Sequence, residues 1–166
     1  TFAYDGNGNR VQQTDSSGSE PVTTTYINDV VGLTQVLVAD DGTEQIHNLF
    51  GLDLISQDDG TSSRYMLADG LGSVRTEIVD GTVESVTTYD PYGNLLKQVG
   101  DSVITYGYTG EQADDSTGLL YLRARYYNPA LRSFIGRDPW SGNLEGPQSM
   151  NGWSYVNSNP INLVDS

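Results

Sequence analysis

Tyr4–Thr14 reads YDGNGNRVQQT and Tyr89–Val99 reads YDPYGNLLKQV. Each begins Tyr-Asp, passes through a Gly-Asn pair and runs into a strand-like tail. Tyr4, Tyr26, Tyr65, Tyr89 and then Tyr106 or Tyr108 mark intervals near twenty residues or twice that. A period of this size marks stacked supersecondary units, which bury their apolar faces only against one another. The chain is therefore expected to fold as an array of similar units.

Within each interval the pattern is that of a hairpin. EIVDGTVESVTTY places Asp80-Gly81 between runs rich in Val, Ile and Thr. Asp-Gly suits the positive backbone angles of a two-residue type I′ turn. VADDGTEQI (Asp41-Gly42) and SQDDGTSSRY (Asp59-Gly60) predict the same device. Val83, Ser85, Thr87 and Tyr89 alternate with Glu84, Val86 and Thr88. Ile104, Tyr106 and Tyr108 alternate with Val103, Thr105 and Gly107. This is period two, not 3.6. No stretch longer than ten residues keeps a helical apolar stripe without Gly, Pro or a β-branched run. The fold class is all-β, with ten or so strands. Such a sheet has unpaired edges, and repeat arrays end in an atypical cap. The segment after Asp115 fits a cap: its acids vanish, and Pro129, Pro139, Pro147 and Pro160 come at close intervals.

Composition excludes several functions. The 166 residues carry 22 acidic and 8 basic side chains, a net charge of -14. Phosphate backbones and anionic membrane surfaces need a basic face, so neither is an expected partner. With no cysteine, disulfides, thiolate metal sites and cysteine catalysis are ruled out. No apolar run of about 18 residues could span a membrane. The first ten residues show no export-signal pattern and no initiator methionine, which predicts an excised segment. His47, the single histidine, lies in strand-like EQIHNLFG with no nucleophile elbow, and one imidazole does not make a metal site. No cofactor or metal is expected. Tyr89, Tyr106 and Tyr126 are expected to pack between strands rather than to stack on sugars.

Four of the eight cations, Arg123, Arg125, Arg132 and Arg137, cluster just ahead of Asp138-Pro139. If Leu119–Tyr127 is one strand, Leu120, Leu122, Ala124 and Tyr126 share a face, and Arg123 and Arg125 lie opposite. There they could pair with acids of neighbouring strands or stack on tyrosines. A lone Asp-Pro is ordinarily a turn.

Several of these segments resemble those of a known family. YDGNGNR and YDPYGN resemble the YD repeat of RHS (rearrangement hotspot) proteins. YMLADGLGSVRTEI resembles the family's Asp-x-Leu-Gly-Ser segment. YTGEQADDSTGLLYLRARYYNPALRSFIGRDPW resembles the RHS repeat-associated core almost position for position, and NGWSYVNSNPINLVD resembles its closing motif. The resemblance covers most of the chain and is most specific over residues 118–165.

The resemblance implies a spiralling β-sheet shell that encloses a C-terminal toxin or effector and is closed by the core domain. It divides the chain into YD-repeat hairpins over residues 1–115 and the core over residues 116–166. It implies as partners the rest of the shell and its cargo, and a secreted or cell-surface location. It also implies an intramolecular aspartic protease at the core, with Asp138 and Asp165 as the catalytic pair and Arg137 as the arginine holding Asp138. Ser166 stands where the family has proline, and no Gly-Leu cleavage point follows, so this chain alone is expected not to cut itself. Eukaryotic teneurins use a similar shell for adhesion. The alternative is therefore an adhesion or self-assembling module without protease activity, joining other chains through open β edges.

Overall fold

Period-two alternation produces strands nearly throughout. The computed structural model describes residues 1–165, and among them there is no α-helix, only three short 3-10 turns. Ten strands form one antiparallel meander in chain order: β1 (Phe2–Tyr4), β2 (Arg10–Asp15), β3 (Val22–Asp29), β4 (Gln35–Asp40), β5 (Gln45–Phe50), β6 (Leu54–Asp58), β7 (Ser63–Ala68), β8 (Val74–Val79), β9 (Thr82–Tyr89) and β10 (Leu95–Gly100). A second antiparallel sheet follows: β11 (Gln112–Asp114), β12 (Leu119–Leu122), β13 (Arg125–Asn128) and β14 (Ser133–Phe134).

In a meander alternate turns share a rim. The turns after β1, β7 and β9 are built identically around an aspartate. Asp5, Asp69 and Asp90 each accept two backbone N–H bonds at Oδ1, from Asn7 and Asn9, Leu71 and Ser73, and Tyr92 and Asn94. Each aspartate's own N–H donates to the carbonyl four residues on. The fourth residue is Gly8, Gly72 or Gly93, with φ of 86°, 83° and 88°, a region L side chains avoid. The Tyr-Asp signature is therefore a turn that serves its own backbone. Register shifts recur where strands approach this rim, at Ala3/Tyr4, Ile27/Asn28, Leu49/Phe50 and Leu67/Ala68. Such bulges bend and twist a sheet.

The opposite rim departs in part from expectation. Asp80 (φ 50°) and Gly81 (φ 77°) form the two-residue turn between paired Val79 and Thr82. Asp41-Gly42 and Asp59-Gly60 do not. They open four-residue loops closed by Asp40↔Gln45 and Asp58↔Ser63. Asp41 Oδ1 accepts the N–H groups of Thr43 and Glu44, and Asp59 Oδ1 those of Thr61 and Ser62. The aspartate side chain organises the longer loop and outcompetes the tight turn.

Residues 101–111 lead from one sheet to the other. Val103–Tyr108, expected as a strand, is an extended connector with a single bridge, Tyr106↔Gln112. Its alternate side chains enter two cores. Tyr106 and Ile104 pack with Leu54, Met66 and Val74 under the large sheet. Tyr108 joins Leu120, Leu122, Tyr127, Phe134, Tyr155 and Val156. The second sheet then lies along the aspartate-turn rim. Thr109 N–H donates to Ser73 Oγ, Arg123 Nε to Thr34 O, Tyr108 Oη to Pro91 O and Tyr127 Oη to Tyr92 O. At the first hairpin, buried Arg10 is enclosed by the Tyr121, Tyr26 and Phe2 rings at 4.3, 5.1 and 5.5 Å. Arg10 also donates to Gln112 Oε1. One segment thus contacts the sheet from β2 to the turn before β10.

Candidate functional site

Leu119–Tyr127 is a hairpin, not one strand. Leu120 pairs with Tyr127, Tyr121 with Tyr126 and Leu122 with Arg125, leaving Arg123-Ala124 as a two-residue turn. Arg123 takes φ 51° without being glycine. Its side chain is held at both ends, by Thr34 O at 3.1 Å and by Glu111 at 2.8 Å. These tertiary anchors impose a backbone the local sequence disfavours. Directly opposed residues share a face, so Arg125 lies with Leu120, Leu122 and Tyr127. Tyr126 lies with Tyr121, against the first hairpin. The expected grouping of Ala124 and Tyr126 with the leucines does not hold.

Placed there, Arg125 meets two carboxylates. Its Nη1 lies 2.8 Å from Asp138 Oδ2, and its Nη2 lies 3.7 Å from Asp165 Oδ2. The guanidinium carbon sits 3.6 Å from the centre of the buried Phe134 ring. Nη1 also reaches Gly152 O at 3.4 Å. The 26 residues between the two aspartates double back: Asp138 N–H donates to Gly152 O at 2.8 Å. A Cβ on Gly152 would stand 3.0 Å from Arg137 Cγ and 3.3 Å from Asp138 N, so the chain packs tightly here and a side chain would press on Arg137. Asp138 Oδ1 accepts the Trp140 N–H at 2.9 Å. Both oxygens of Asp138 therefore face donors.

Arg137 is not the residue that grips Asp138. Its guanidinium lies 5.9 Å from the Trp153 ring centre. Consecutive side chains on an extended backbone point to opposite sides, so the neighbour in sequence is the wrong neighbour in space. Arg132 lies over the Tyr92 ring at 4.9 Å. The four clustered arginines thus divide their contacts between acids, at Arg123 and Arg125, and rings, at Arg125, Arg132 and Arg137.

Burial raises the Asp165 carboxyl above its ordinary value; Arg125 opposes this, the Asp138 charge adds to it, and Arg123 opposes it. Glu111 is likewise raised by burial, against the opposing pull of Arg123, and the Asp165 charge pushes it further up. Glu111, which the sequence reading passed over, thus belongs to the same electrostatic cluster. The arrangement is an acid pair with unlike surroundings: Asp138 faces donors at both oxygens, and Asp165 is held through one longer ion pair.

No protein-family profile matches the chain. The crystal structure of TcdB2-TccC3 superposes over 99% of it with a TM-score of 0.77 at 24% identity. The tRNA nuclease WapA of Bacillus subtilis strain 168 is 32% identical over 170 residues, 99% of this chain. The toxin subunit YenC1 of Yersinia entomophaga is 36% identical over 109 residues, 61% of this chain. The chain belongs to the RHS/YD-repeat family.

This RHS/YD segment spans 9% of the TcdB2-TccC3 chain, 7% of WapA and 11% of YenC1. Its all-β architecture is that of the RHS shell. The second sheet of the RHS/YD segment begins at Gln112, slightly ahead of the division at residue 116 read from the sequence.

Proposed function

We propose that this chain is the closing segment of a longer RHS/YD-repeat shell that encloses a C-terminal effector. Residues 1–115 serve as wall and residues 116–166 as the core that seals it. The observation that carries this reading is the run of contacts from the second sheet and the connector leading to it onto one rim of the ten-stranded sheet, at Arg10, Thr34, Ser73 and the Pro91–Tyr92 turn. A segment that grips successive turns fixes the curvature of the wall and leaves its strands nowhere to unroll. The printed names of WapA and YenC1 support a toxin-bearing parent chain; a secreted or cell-surface location for it draws support from the 31% identical salivary gland surface protein 1 of Aedes aegypti. No helix among the described residues is long and apolar enough to cross a membrane.

Asp138 and Asp165 act as an intramolecular aspartic protease on the chain beyond the core. Asp138 takes a proton from water, and the hydroxide adds to the scissile carbonyl carbon while protonated Asp165 donates to its oxygen. The tetrahedral species collapses with proton transfer to the leaving nitrogen, giving a new carboxyl end and a free amine. Two carboxyls that share a site are pushed to unlike protonation, and the raised Asp165 supports its assignment as the acid. In the full parent chain, two fragments on a denaturing gel are expected, with one fragment after Asp138→Asn or Asp165→Asn and folding retained. Cleavage that proceeds in both variants removes the pair from the mechanism.

A second reading rests on β10. All six of its residues are exposed, including Leu95, Leu96 and Val99. An edge strand of this kind can add a strand from another chain. Regular oligomers of this chain that dissolve on Val99→Lys favour assembly; a monomer at high concentration favours the shell.

A further inference from the structure

We infer that the left-handed turn at Val156–Ser158 is the positioning element that sends the end of the chain back to Asp138, and that Asn157 is the residue that sets its hand. This deepens the proposed cleavage reaction and rests on that reading. Val156, Asn157 and Ser158 take φ of 41°, 52° and 62° in succession. L residues enter this region singly, and a β-branched one such as valine is an outlier there. The other non-glycine residues with positive φ among those described, Asp80, Thr109, Arg123 and Arg132, each stand apart. Such a run persists only where its surroundings over-determine it.

The entry to the turn is held firmly. Phe134 N–H donates to Trp153 O at 3.0 Å, and Ser133 bridges to Ser154. Tyr155 is 1% exposed with its ring centre 4.3 Å from that of Tyr127, and Val156 is buried in the same core. Ser158 N–H then closes on Tyr155 O at 2.8 Å, and Asn159 N–H on Val156 O at 2.9 Å. Beyond the turn Ile161, Asn162, Leu163 and Val164 are exposed, and Asp165 returns to the acid pair. With the entry fixed, the hand of one turn decides to which side of the core the last residues run. A right-handed turn would leave in the mirror direction, away from Asp138, which is tied to Gly152 O. Asn157 is exposed and takes part in no hydrogen bond among the described residues. What it supplies is its backbone, since asparagine visits left-handed angles more readily than most residues.

Substitutions at Asn157 therefore alter the hand and little else. Proline, with φ locked near −65°, forbids the left-handed turn, and glycine permits it. In this chain, carbon-detected NMR follows the Asp165 carboxyl through a pH titration in wild type, Asn157→Pro and Asn157→Gly, with amide spectra reporting the two sheets. The ionisable groups facing Asp165 are Arg125, Asp138 and Arg123, and burial is the largest influence on it. Released to solvent in Asn157→Pro, it should titrate at lower pH, toward the ordinary 3.8, while Asn157→Gly titrates as wild type. In the parent chain Asn157→Pro should slow self-cleavage about 100-fold or more, the scale of a misplacement near 1 Å, and Asn157→Gly should retain it. An Asp165 midpoint unmoved in folded Asn157→Pro, or a wild-type cleavage rate in that variant, overturns the assignment. If Asn157→Pro fails to fold, Asn157→Val takes its place: amide exchange at Ser158 and Asn159 should quicken about 5–30-fold, and unchanged exchange overturns the assignment equally. A wild-type parent that never cuts defeats the cleavage reading alone, because titration and exchange still decide whether the turn places Asp165.

Discussion

Gly93→Ala tests how tightly the second core packs on the β9–β10 turn. Gly93 and Gly8 occupy the same position of the same aspartate turn, at φ 88° and 86°. An added methyl at either therefore meets the same backbone penalty, about 1–2 kcal/mol. The surroundings differ. A Cβ at Gly8 meets nothing within 4 Å, whereas one at Gly93 would lie 2.6 Å from Tyr108 Cδ1 and 2.8 Å from its Cγ. Tyr108 cannot swing aside. It is 3% exposed, its Oη bonds Pro91 O at 2.6 Å, and its ring meets Tyr89 and Tyr155 at 5.9 and 6.3 Å. Forcing the ring back adds an overpacking cost of about 1–3 kcal/mol. Gly93→Ala should therefore lose about 2–5 kcal/mol against about 1–2 for Gly8→Ala. At about 2–4 °C per kcal/mol for a chain of this length, the gap is readable by thermal melting and by urea titration. Equal losses in the two variants would refute the claim that Tyr108 docks the second sheet on the β9–β10 turn.

Two further outcomes follow from the same contacts. Arg10→Lys keeps the charge but loses the fork to Gln112 and the ring contacts with Tyr121 and Tyr26, so urea unfolding should show about 1–2 kcal/mol lost; an unchanged midpoint counts against Arg10 as the joint. The Asp5 carboxyl is lowered by the Asn9 side chain first and then by backbone N–H groups; at Asp90 burial pushes upward, but Asn94 and the backbone donors outweigh it. A carboxylate lowered in the folded state stabilises above the ordinary value of 3.8 and loses that contribution as pH falls through its lowered value. Acid unfolding should therefore be shallower in Asp90→Asn than in wild type, and an identical acid limb would mean the turn gains nothing from ionisation.

What could be read from the sequence was whatever the backbone settles locally. Alternation in Thr82–Tyr89 gave a strand because its side chains fall on two faces whatever lies beyond them. Asp80-Gly81 gave a two-residue turn because both residues tolerate positive φ. Asp41-Gly42 carries the same pair of letters and forms a four-residue loop, since the Asp41 carboxylate reaches Thr43 and Glu44 before the strands can close. Arg123-Ala124 has no turn residue at all. That hairpin exists because Thr34 and Glu111, distant in the chain, hold the arginine side chain.

The candidate site divides the same way. Asp138 and Asp165 were legible only as members of a motif, since nothing in the 26 intervening residues fixes their separation. Arg125 was not legible, because its face depends on where the hairpin turns, and the turn depends on tertiary contacts. Had Arg123-Ala124 been placed as the turn, Arg125 would have fallen beside Leu122 on the inward face, the only one of the clustered arginines so directed within the β12–β13 hairpin. An arginine carried inward among Leu120, Leu122 and Tyr127 needs anions near enough to offset its desolvation. Burial of that cation supplies a reason for the chain beyond β14 to return, since the acids that come back with it, Asp138 and Asp165, are the ones that meet Arg125.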